Sequence, residues 1–247
     1  MYNVITSFNE KYWHEIAKQN VSLLDKNWPE SFQIKLYHEL KNIDSKFSNR
    51  VKWYDLYKEC PEISKFAEKW KDHPKANGAG VKKNSFRWNA IKFVHKTFAI
   101  WHAAKNQKEG WLIWLDCDAT LFKKIDLPFL QSMCPAEHAI SFMGRPGKYS
   151  ECGFMGFNLN HSLTREFLNE WENLYLSGDF IDLPETHDSW TFDYLRNQKD
   201  SKFFFNVNSK AITNKNPFSQ SLLGSHFAHA KGSGKEKQQQ KILNRAG

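Results

Sequence analysis

The chain has 247 residues, a formal net charge of +8, 40% hydrophobic residues and 15% aromatic residues. This length and aromatic content exclude an intrinsically disordered chain and favour one globular domain, which we place at residues 1–235. No apolar run reaches the roughly 18 residues that a membrane span needs, and the first residues lack the features of a secretory signal. We therefore expect a cytoplasmic protein whose four cysteines are reduced thiols.

The predicted elements alternate between strands and helices along the chain. Apolar alternation and short apolar runs predict strands at residues 3–8, 32–37, 111–115, 139–143, 154–159 and 203–207. Helical spacing predicts helices at residues 10–25, 85–105, 162–176 and 187–197, and two more within 49–73, separated at Pro61. This order predicts a single Rossmann-like mixed α/β sheet flanked by helices, with ligands at the carboxyl ends of its strands.

The positive charge is concentrated in two segments. Residues 82–108 contain seven basic and no acidic residues, and residues 231–247 contain five basic residues and one acidic residue. The rest of the chain is mildly acidic, which is unlike a surface built for general polyanion binding. We therefore expect a local anionic ligand rather than nucleic acid, and a polar, basic tail over residues 236–247.

The strand predicted at residues 111–115 ends in two carboxylates, Asp116 and Asp118. A buried strand cannot hold charge, so carboxylates at its exit are solvated, paired or bound to a cation. Two Asp oxygens together with diphosphate oxygens form a ligand set that Mg²⁺ and Mn²⁺ prefer. An Asp-capped turn is the alternative interpretation of this tripeptide taken alone.

A second motif, from His229 to Lys235, fits the pattern H-x-x-G-x-x-K. An imidazole can complete a metal shell, Gly232 lets the backbone approach a phosphate closely, and Lys235 supplies a positive charge. Taken alone, the same residues also fit a flexible linker rich in Gly, Ser and Lys.

Together the two motifs resemble nucleotide-sugar-dependent glycosyltransferases of the GT-A fold, especially the glycogenin-like and lipopolysaccharide-galactosyltransferase-like family. The resemblance covers residues 3–235 and implies a hexosyltransferase-like enzyme that moves a sugar from a UDP- or GDP-linked donor to a glycan, lipid or protein. It implies a Mn²⁺ or Mg²⁺ ion held by Asp116, Asp118 and His229. The donor-binding residues that it implies are Thr6, Ser7, Arg87, Lys96, Asp116, Asp118, Gly232 and Lys235.

The same resemblance implies two acidic residues at the reaction centre. Glu151 precedes the strand predicted at 154–159, where it would orient a sugar hydroxyl or stabilise positive charge at the anomeric carbon. Asp188 lies at the start of the helix predicted at 187–197, where inverting enzymes carry a general base. Asp193 is the second choice for that role. Capping of the strand and of the helix are the alternative interpretations, and both stereochemical outcomes stay open.

Two other functions compete with this interpretation. Residues 116–121 also fit D-x-D-x-T-L, the first motif of haloacid-dehalogenase-type phosphatases, and residues 178–182 resemble their late acidic motif. Such phosphatases carry the nucleophile on their first strand, whereas an extended α/β pattern precedes Asp116. A nucleic-acid-binding module is the weaker alternative, because Asp116 and Asp118 would repel phosphate without a metal.

Overall fold

A seven-stranded mixed sheet forms the centre of the structure. The computed structural model describes residues 1–43, 46–79, 85–208 and 217–229. The strands of the main sheet are β1 (Tyr2–Phe8), β2 (Ile34–His38), β3 (Val51–Asp55), β4 (Trp111–Leu115), β6 (Ile140–Phe142), β7 (Phe154–Asn158) and β8 (Phe204–Asn206). A separate two-stranded sheet pairs β5 (Ala119–Leu121) with β9 (Phe227–His229).

The strand order of the main sheet is β3-β2-β1-β4-β7-β6-β8. The first four strands in this order are parallel, β7 is antiparallel to both β4 and β6, and β8 is parallel to β6. Val4 in β1 pairs with Ile34 on one side and Ile113 on the other, so β1 lies between β2 and β4. The carboxyl ends of these central strands therefore meet at one edge of the sheet, where ligands bind in open α/β folds.

Helices cover both faces of the sheet. The helices are α1 (Glu10–Tyr12), α2 (Lys18–Asn27), α3 (Leu56–Glu59), α4 (Glu62–Trp70), α5 (Pro74–Asn77), α6 (Ala90–Lys105), α7 (Leu127–Met133), α8 (Ser162–Ser177), α9 (Asp188–Arg196) and α10 (Pro217–Gln220). A π-helical segment joins α1 to α2. No described helix is both long enough and apolar enough to cross a membrane.

The strand β4 is buried on both faces, which is why its sequence is apolar throughout. Leu112 and Trp114 belong to the core that contains buried residues of α6, α8 and α9. Ile113 and Leu115 belong to a second core that contains residues of α2 and α7. Successive side chains of a strand point to opposite faces, so the two cores lie on opposite sides of the sheet.

The structure confirms the predicted fold class, a mixed α/β sheet flanked by helices. Two helices, α3 and α4, lie on either side of Pro61 as predicted, but the first begins only at Leu56, because Val51–Asp55 forms β3 and pairs with β2. Its valine and aromatic residues favour a strand, and pairing with a buried neighbour decides in favour of that structure. The long helix begins at Ala90 rather than at 85, because the Asn89 side chain caps it. The tail predicted at 236–247 lies outside the described residues.

Candidate functional site

The site is built where β4 ends. Asp116 begins a tight turn in which the Ala119 amide donates to the Asp116 carbonyl at 2.8 Å, and β5 follows directly. Pairing of β5 with β9 then sets Ala119 opposite His229. This register brings His229 Nε2 to 2.8 Å from Asp118 Oδ1, although the two residues are 111 positions apart in the sequence. One ligand atom each from Asp116, Asp118 and His229 lies within 4.8 Å of the others. We call these three residues the D-x-D cluster.

The Asp116 carboxylate is held by two donors. Its Oδ1 atom accepts from Trp114 Nε1 at 2.8 Å and lies 2.7 Å from Lys96 Nζ. Burial raises the pKa of Asp116, Lys96 opposes that effect, and the nearby Asp118 carboxylate adds to it; the net shift is upward. Two neighbouring carboxylates, of which Asp118 is buried and Asp116 partly buried, repel each other, so the cluster favours a bound cation.

The donor chemistry of the D-x-D cluster fits a divalent cation. Two carboxylates and one imidazole are ligands that Mn²⁺ accepts, and Mg²⁺ favours the oxygen atoms. His229 Nδ1 is buried and has no hydrogen-bond partner among the described residues. Gly153 lies beside the ring, where an added Cβ would be 3.2 Å from His229 Cε1. The residues present are therefore those that a metal site with diphosphate oxygens as further ligands requires.

A chain of charged side chains runs from the cluster to the start of α9. Lys96 Nζ lies 2.6 Å from Asp188 Oδ2 and also donates to the Cys152 carbonyl at 3.0 Å. Burial alone would raise the pKa of Asp188, but Lys96 and His187 outweigh it and hold that pKa well below its usual range. Burial likewise works against the charge on Lys96, yet Asp116 and Asp188 raise its pKa well above the usual value. Lys96 and Asp188 are therefore both ionised at neutral pH.

The same chain continues outward to Arg87. His187 Nε2 is 2.9 Å from Glu185 Oε2, and Arg87 Nη1 is 3.1 Å from Glu185 Oε1. We call Arg87, Glu185, His187, Asp188 and Lys96 the charge network. It joins the helix α6 to the segment before α9, so it fixes the position of Lys96 beside Asp116.

A cavity of about 710 Å³ lies beside the D-x-D cluster. Its size is within the range of small-molecule sites. The described residues that line it include all three members of the cluster, together with Ser7, Asn9, Glu39, Phe86, Lys92, Phe93, His95 and Lys96. Ser7 thus faces the cavity, whereas Thr6 is 1% exposed and its buried Oγ1 has no hydrogen-bond partner in the part of the chain that the structure describes.

Glu151 lies at the edge of the cluster. Its carboxylate is 3.3 Å from Arg145, and the residue is 8% exposed. A Cβ added to Gly153 would be 3.3 Å from Glu151 Oε1 and 3.2 Å from His229 Cε1, so both side chains border the same backbone position. Neither Glu151 nor Asp188 is among the described residues that line the large cavity.

The structure brings together Lys96, Asp116, Asp118, Asp188 and His229. Gly232 and Lys235, expected to contact the donor, lie outside the described residues. The sequence did not predict the roles of Trp114, His187 and Glu185. It also did not predict that His95 lines the cavity and lies 3.0 Å from Glu39. These roles arise where α6, β4 and the segment before α9 pack together. The sequence around each residue gives no signal of such packing between distant segments.

The basic segment does not form one exposed positive face. Lys96 is engaged inside the site, Arg87 pairs with Glu185, and Lys105 lies over the Trp101 ring at 4.7 Å. Lys82 and Lys83 lie outside the described residues. The described charges of this segment therefore serve several separate contacts.

No family model matches the sequence, and no curated protein matches it. The structure is similar to the crystal structure of mouse xyloside xylosyltransferase 1 in its apo form. The identity is 12%, the match covers 85% of this chain and 86% of that chain, and the TM-score is 0.49. A likeness of this size leaves the activity to be argued from the site itself.

Proposed function

We propose that the chain is a metal-dependent glycosyltransferase that moves a sugar from a UDP- or GDP-linked donor to an acceptor. The observation that carries this proposal is the register of β5 and β9, which sets His229 against Asp118 at the end of β4. The resulting cluster borders a cavity large enough for a small ligand such as a nucleotide sugar. A site for a cation with a diphosphate explains why carboxylates and basic residues lie side by side there.

In the proposed site, Asp116, Asp118 and His229 hold a Mn²⁺ or Mg²⁺ ion. When bound, this ion offsets the negative charge that builds on the departing diphosphate. Ser7 lines the cavity at the end of β1 and is placed to contact the nucleoside. Arg87, Lys96, Gly232 and Lys235 complete the proposed donor-binding set, whereas the buried side chain of Thr6 lies outside it.

Lys96 has a defined part in this proposal. It lies between Asp116 and Asp188 and lines the cavity, so it fixes the Asp116 carboxylate and adds positive charge toward the donor. Asp188 has a lowered pKa and is therefore a weak proton acceptor, so we assign it the positioning of Lys96. Glu151, at the edge of the cluster, is the candidate for contact with the transferred sugar.

The test is a screen of nucleotide sugars for donor hydrolysis in the presence and absence of Mn²⁺. We expect hydrolysis of at least one UDP- or GDP-linked sugar that needs the ion and is lost in Asp118→Asn. Asp182→Asn is the matched control, because Asp182 is exposed on a 3₁₀ turn after α8. Its activity should equal that of the unmodified protein.

The same variants separate the phosphatase alternative. In that function Asp116 is the nucleophile and residues 178–182 supply the late acidic motif. An aryl phosphatase activity that is lost in both Asp116→Asn and Asp182→Asn, without hydrolysis of any nucleotide sugar, would overturn the proposal.

A further inference from the structure

Two neighbouring cavities form a groove beside the proposed site. One, of about 560 Å³, is lined by Arg87, Gly147, Lys148, Tyr149 and Trp190. The other, of about 570 Å³, shares Lys148, Tyr149 and Trp190 and continues along α9. Its further lining residues are Asp193, Tyr194, Arg196, Asn197 and Gln198. The shared residues make the two cavities one continuous surface, which we call the aromatic groove.

The aromatic groove is linked to the metal-side cavity through packed rings. The Tyr149 ring lies 4.6 Å from the His187 ring, centroid to centroid. The His187 ring lies 5.6 Å from that of Phe86 and 5.9 Å from that of Phe93. Phe86 and Phe93 line the cavity beside the D-x-D cluster. A succession of three packed rings therefore connects the groove to that cavity.

The walls of the groove are fixed to each other before any ligand arrives. Asp193 of α9 accepts from the Ser150 amide at 2.6 Å and from the Ser150 hydroxyl at 2.7 Å. Arg145 lies over the Tyr149 ring at 4.8 Å, and its Nε donates to the Tyr149 carbonyl at 2.7 Å. The loop that carries Tyr149 is thus tied to the helix that carries Trp190, and such preorganisation lowers the cost of binding.

The chemistry of the groove matches a carbohydrate chain. Trp190 and Tyr194 are partly exposed rings, and the C–H face of a sugar ring is apolar enough to pack on such rings. Asn197, Gln198 and Asp193 offer amide and carboxylate groups of the kind that bind hydroxyls.

The charges in the groove disfavour a polyanion. Both arginines that line the groove have a carboxylate partner: Arg87 with Glu185 and Arg196 with Asp193. Among the described residues, Lys148 is the surplus cation of the groove. A nucleic-acid strand needs many more unpaired cations than this.

We propose that the aromatic groove is the acceptor subsite and that it takes a neutral oligosaccharide chain packed on Trp190 and Tyr194. This proposal rests on the proposed glycosyltransferase function, of which it names the acceptor class. Trp190 and Tyr194 select the acceptor, and Tyr149 marks the end of the groove nearest to the site of transfer.

The test is direct binding of soluble neutral oligosaccharides, measured by saturation-transfer NMR without donor and in the presence of a chelator. The panel contains hexasaccharides of glucose, xylose and N-acetylglucosamine, together with a single-stranded oligonucleotide of random sequence. We expect at least one hexasaccharide to bind and the oligonucleotide not to bind. Trp190→Ala should weaken that binding at least tenfold, and Tyr194→Ala should weaken it by a smaller factor.

Trp101→Ala is the matched control, because Trp101 and Trp190 are both partly buried and pack against the same core. Its oligosaccharide binding should equal that of the unmodified protein. The proposal is overturned if no hexasaccharide binds, if Trp101→Ala and Trp190→Ala weaken binding equally, or if the oligonucleotide binds through Trp190.

Binding of UDP and GDP with Mn²⁺, measured on the same samples, separates the two proposals. Loss of oligosaccharide binding in Trp190→Ala with unchanged nucleotide binding supports the acceptor subsite. Oligosaccharide binding by a protein that binds neither nucleotide would contradict the glycosyltransferase function and, with it, the role of the groove as an acceptor subsite.

Discussion

The D-x-D cluster and the charge network both hold buried carboxylates, but the described groups around those carboxylates differ between the two regions. In the network, Arg87 and Lys96 match Glu185 and Asp188. In the cluster, Asp116 and Asp118 face one imidazole and share Lys96 with the network. Acidic residues alone therefore do not mark a metal site. The cluster is a candidate because ligand atoms of Asp116, Asp118 and His229 lie within 4.8 Å of one another beside a cavity.

The pKa values of two carboxylates on the same lysine express this difference. Lys96 touches both Asp116 and Asp188, yet the pKa of Asp116 is raised and that of Asp188 is lowered. Burial acts on both groups, but Asp116 has Asp118 as a neighbour whereas Asp188 has His187. The network is consequently a stabilising arrangement, and the cluster is an arrangement that gains from a ligand.

Removal of Lys96 should give the largest effect on stability. Lys96→Met leaves Asp188 without its cationic partner in a buried place, which should lower the free energy of unfolding by about 3–5 kcal/mol. Lys92→Met is the control, since Lys92 is exposed on the same helix and should change stability by less than about 0.5 kcal/mol. Urea unfolding measures both values. Equal stability of the two variants would contradict the structural role of the network.

The pH dependence of metal binding should follow Asp116. Below its raised pKa the carboxylate binds a proton that the metal must displace, so Mn²⁺ affinity should fall by up to about tenfold per pH unit. Asp188 should remain ionised over the same range. Carbon-13 NMR of the carboxyl groups, with a Mn²⁺ titration at each pH, measures both. If Asp188 took up a proton at a higher pH than Asp116, the distinction between the charge network and the D-x-D cluster would be contradicted.

The pKa shifts of Asp116 and Asp188 make folding stability depend on pH in opposite directions. Asp188 has a folded-state pKa below its unfolded value, so it contributes stability above the unfolded pKa, and this is lost as pH falls through the folded pKa. Asp116 has a raised folded-state pKa, so in the metal-free protein its contribution becomes unfavourable as pH rises through its unfolded and then its folded pKa. The free energy of unfolding is measured across the acidic range for the unmodified protein, Asp116→Asn and Asp188→Asn. The difference between the unmodified protein and each variant should change with pH in opposite directions for the two residues.

The pair of Arg87 with Glu185, at the outer end of the charge network, should contribute less to stability than the pair of Lys96 with Asp188. The Arg87 side chain is 38% exposed, so solvent screens its pair with Glu185 and Arg87→Gln should lower the free energy of unfolding by about 1 kcal/mol or less. Added salt should weaken this pair but not the pair of Lys96 with Asp188. Urea unfolding at low and high salt measures the contribution of each pair to stability.

The smallest effect on stability should come from the cluster itself. Asp118→Asn removes one of two neighbouring charges and keeps a group that can bond to His229. We expect the free energy of unfolding in chelator to stay within about 0.5 kcal/mol of that of the unmodified protein. A loss of about 3 kcal/mol instead would make the cluster a structural element like the network.

Much of the main sheet could be predicted from the sequence, because the apolar run of β4 and the spacing in α8 and α9 each report a buried face. The location of Asp116 and Asp118 followed from the same run. Val51–Asp55 could not be assigned in this way, since its strand structure depends on pairing with β2.

The geometry around His229 could not be predicted from spacing either. It depends on two strands of three residues each, too short to leave a periodic signal, which lie more than 100 positions apart in the sequence. The charge network depends in the same way on how α6 packs against α9 and the segment before it. Residues that act together here are neighbours only in the folded protein.

The most direct test of the central claim is a Mn²⁺ titration followed by electron paramagnetic resonance. The unmodified protein should bind one Mn²⁺ ion, more tightly when UDP or GDP is present, and Asp118→Asn and His229→Ala should each weaken this binding at least tenfold. Lys92→Met should leave the ion's affinity without nucleotide unchanged. Absence of Mn²⁺ binding with either nucleotide, or equal binding by the Asp118 and His229 variants, would contradict the assignment of the D-x-D cluster as a metal site.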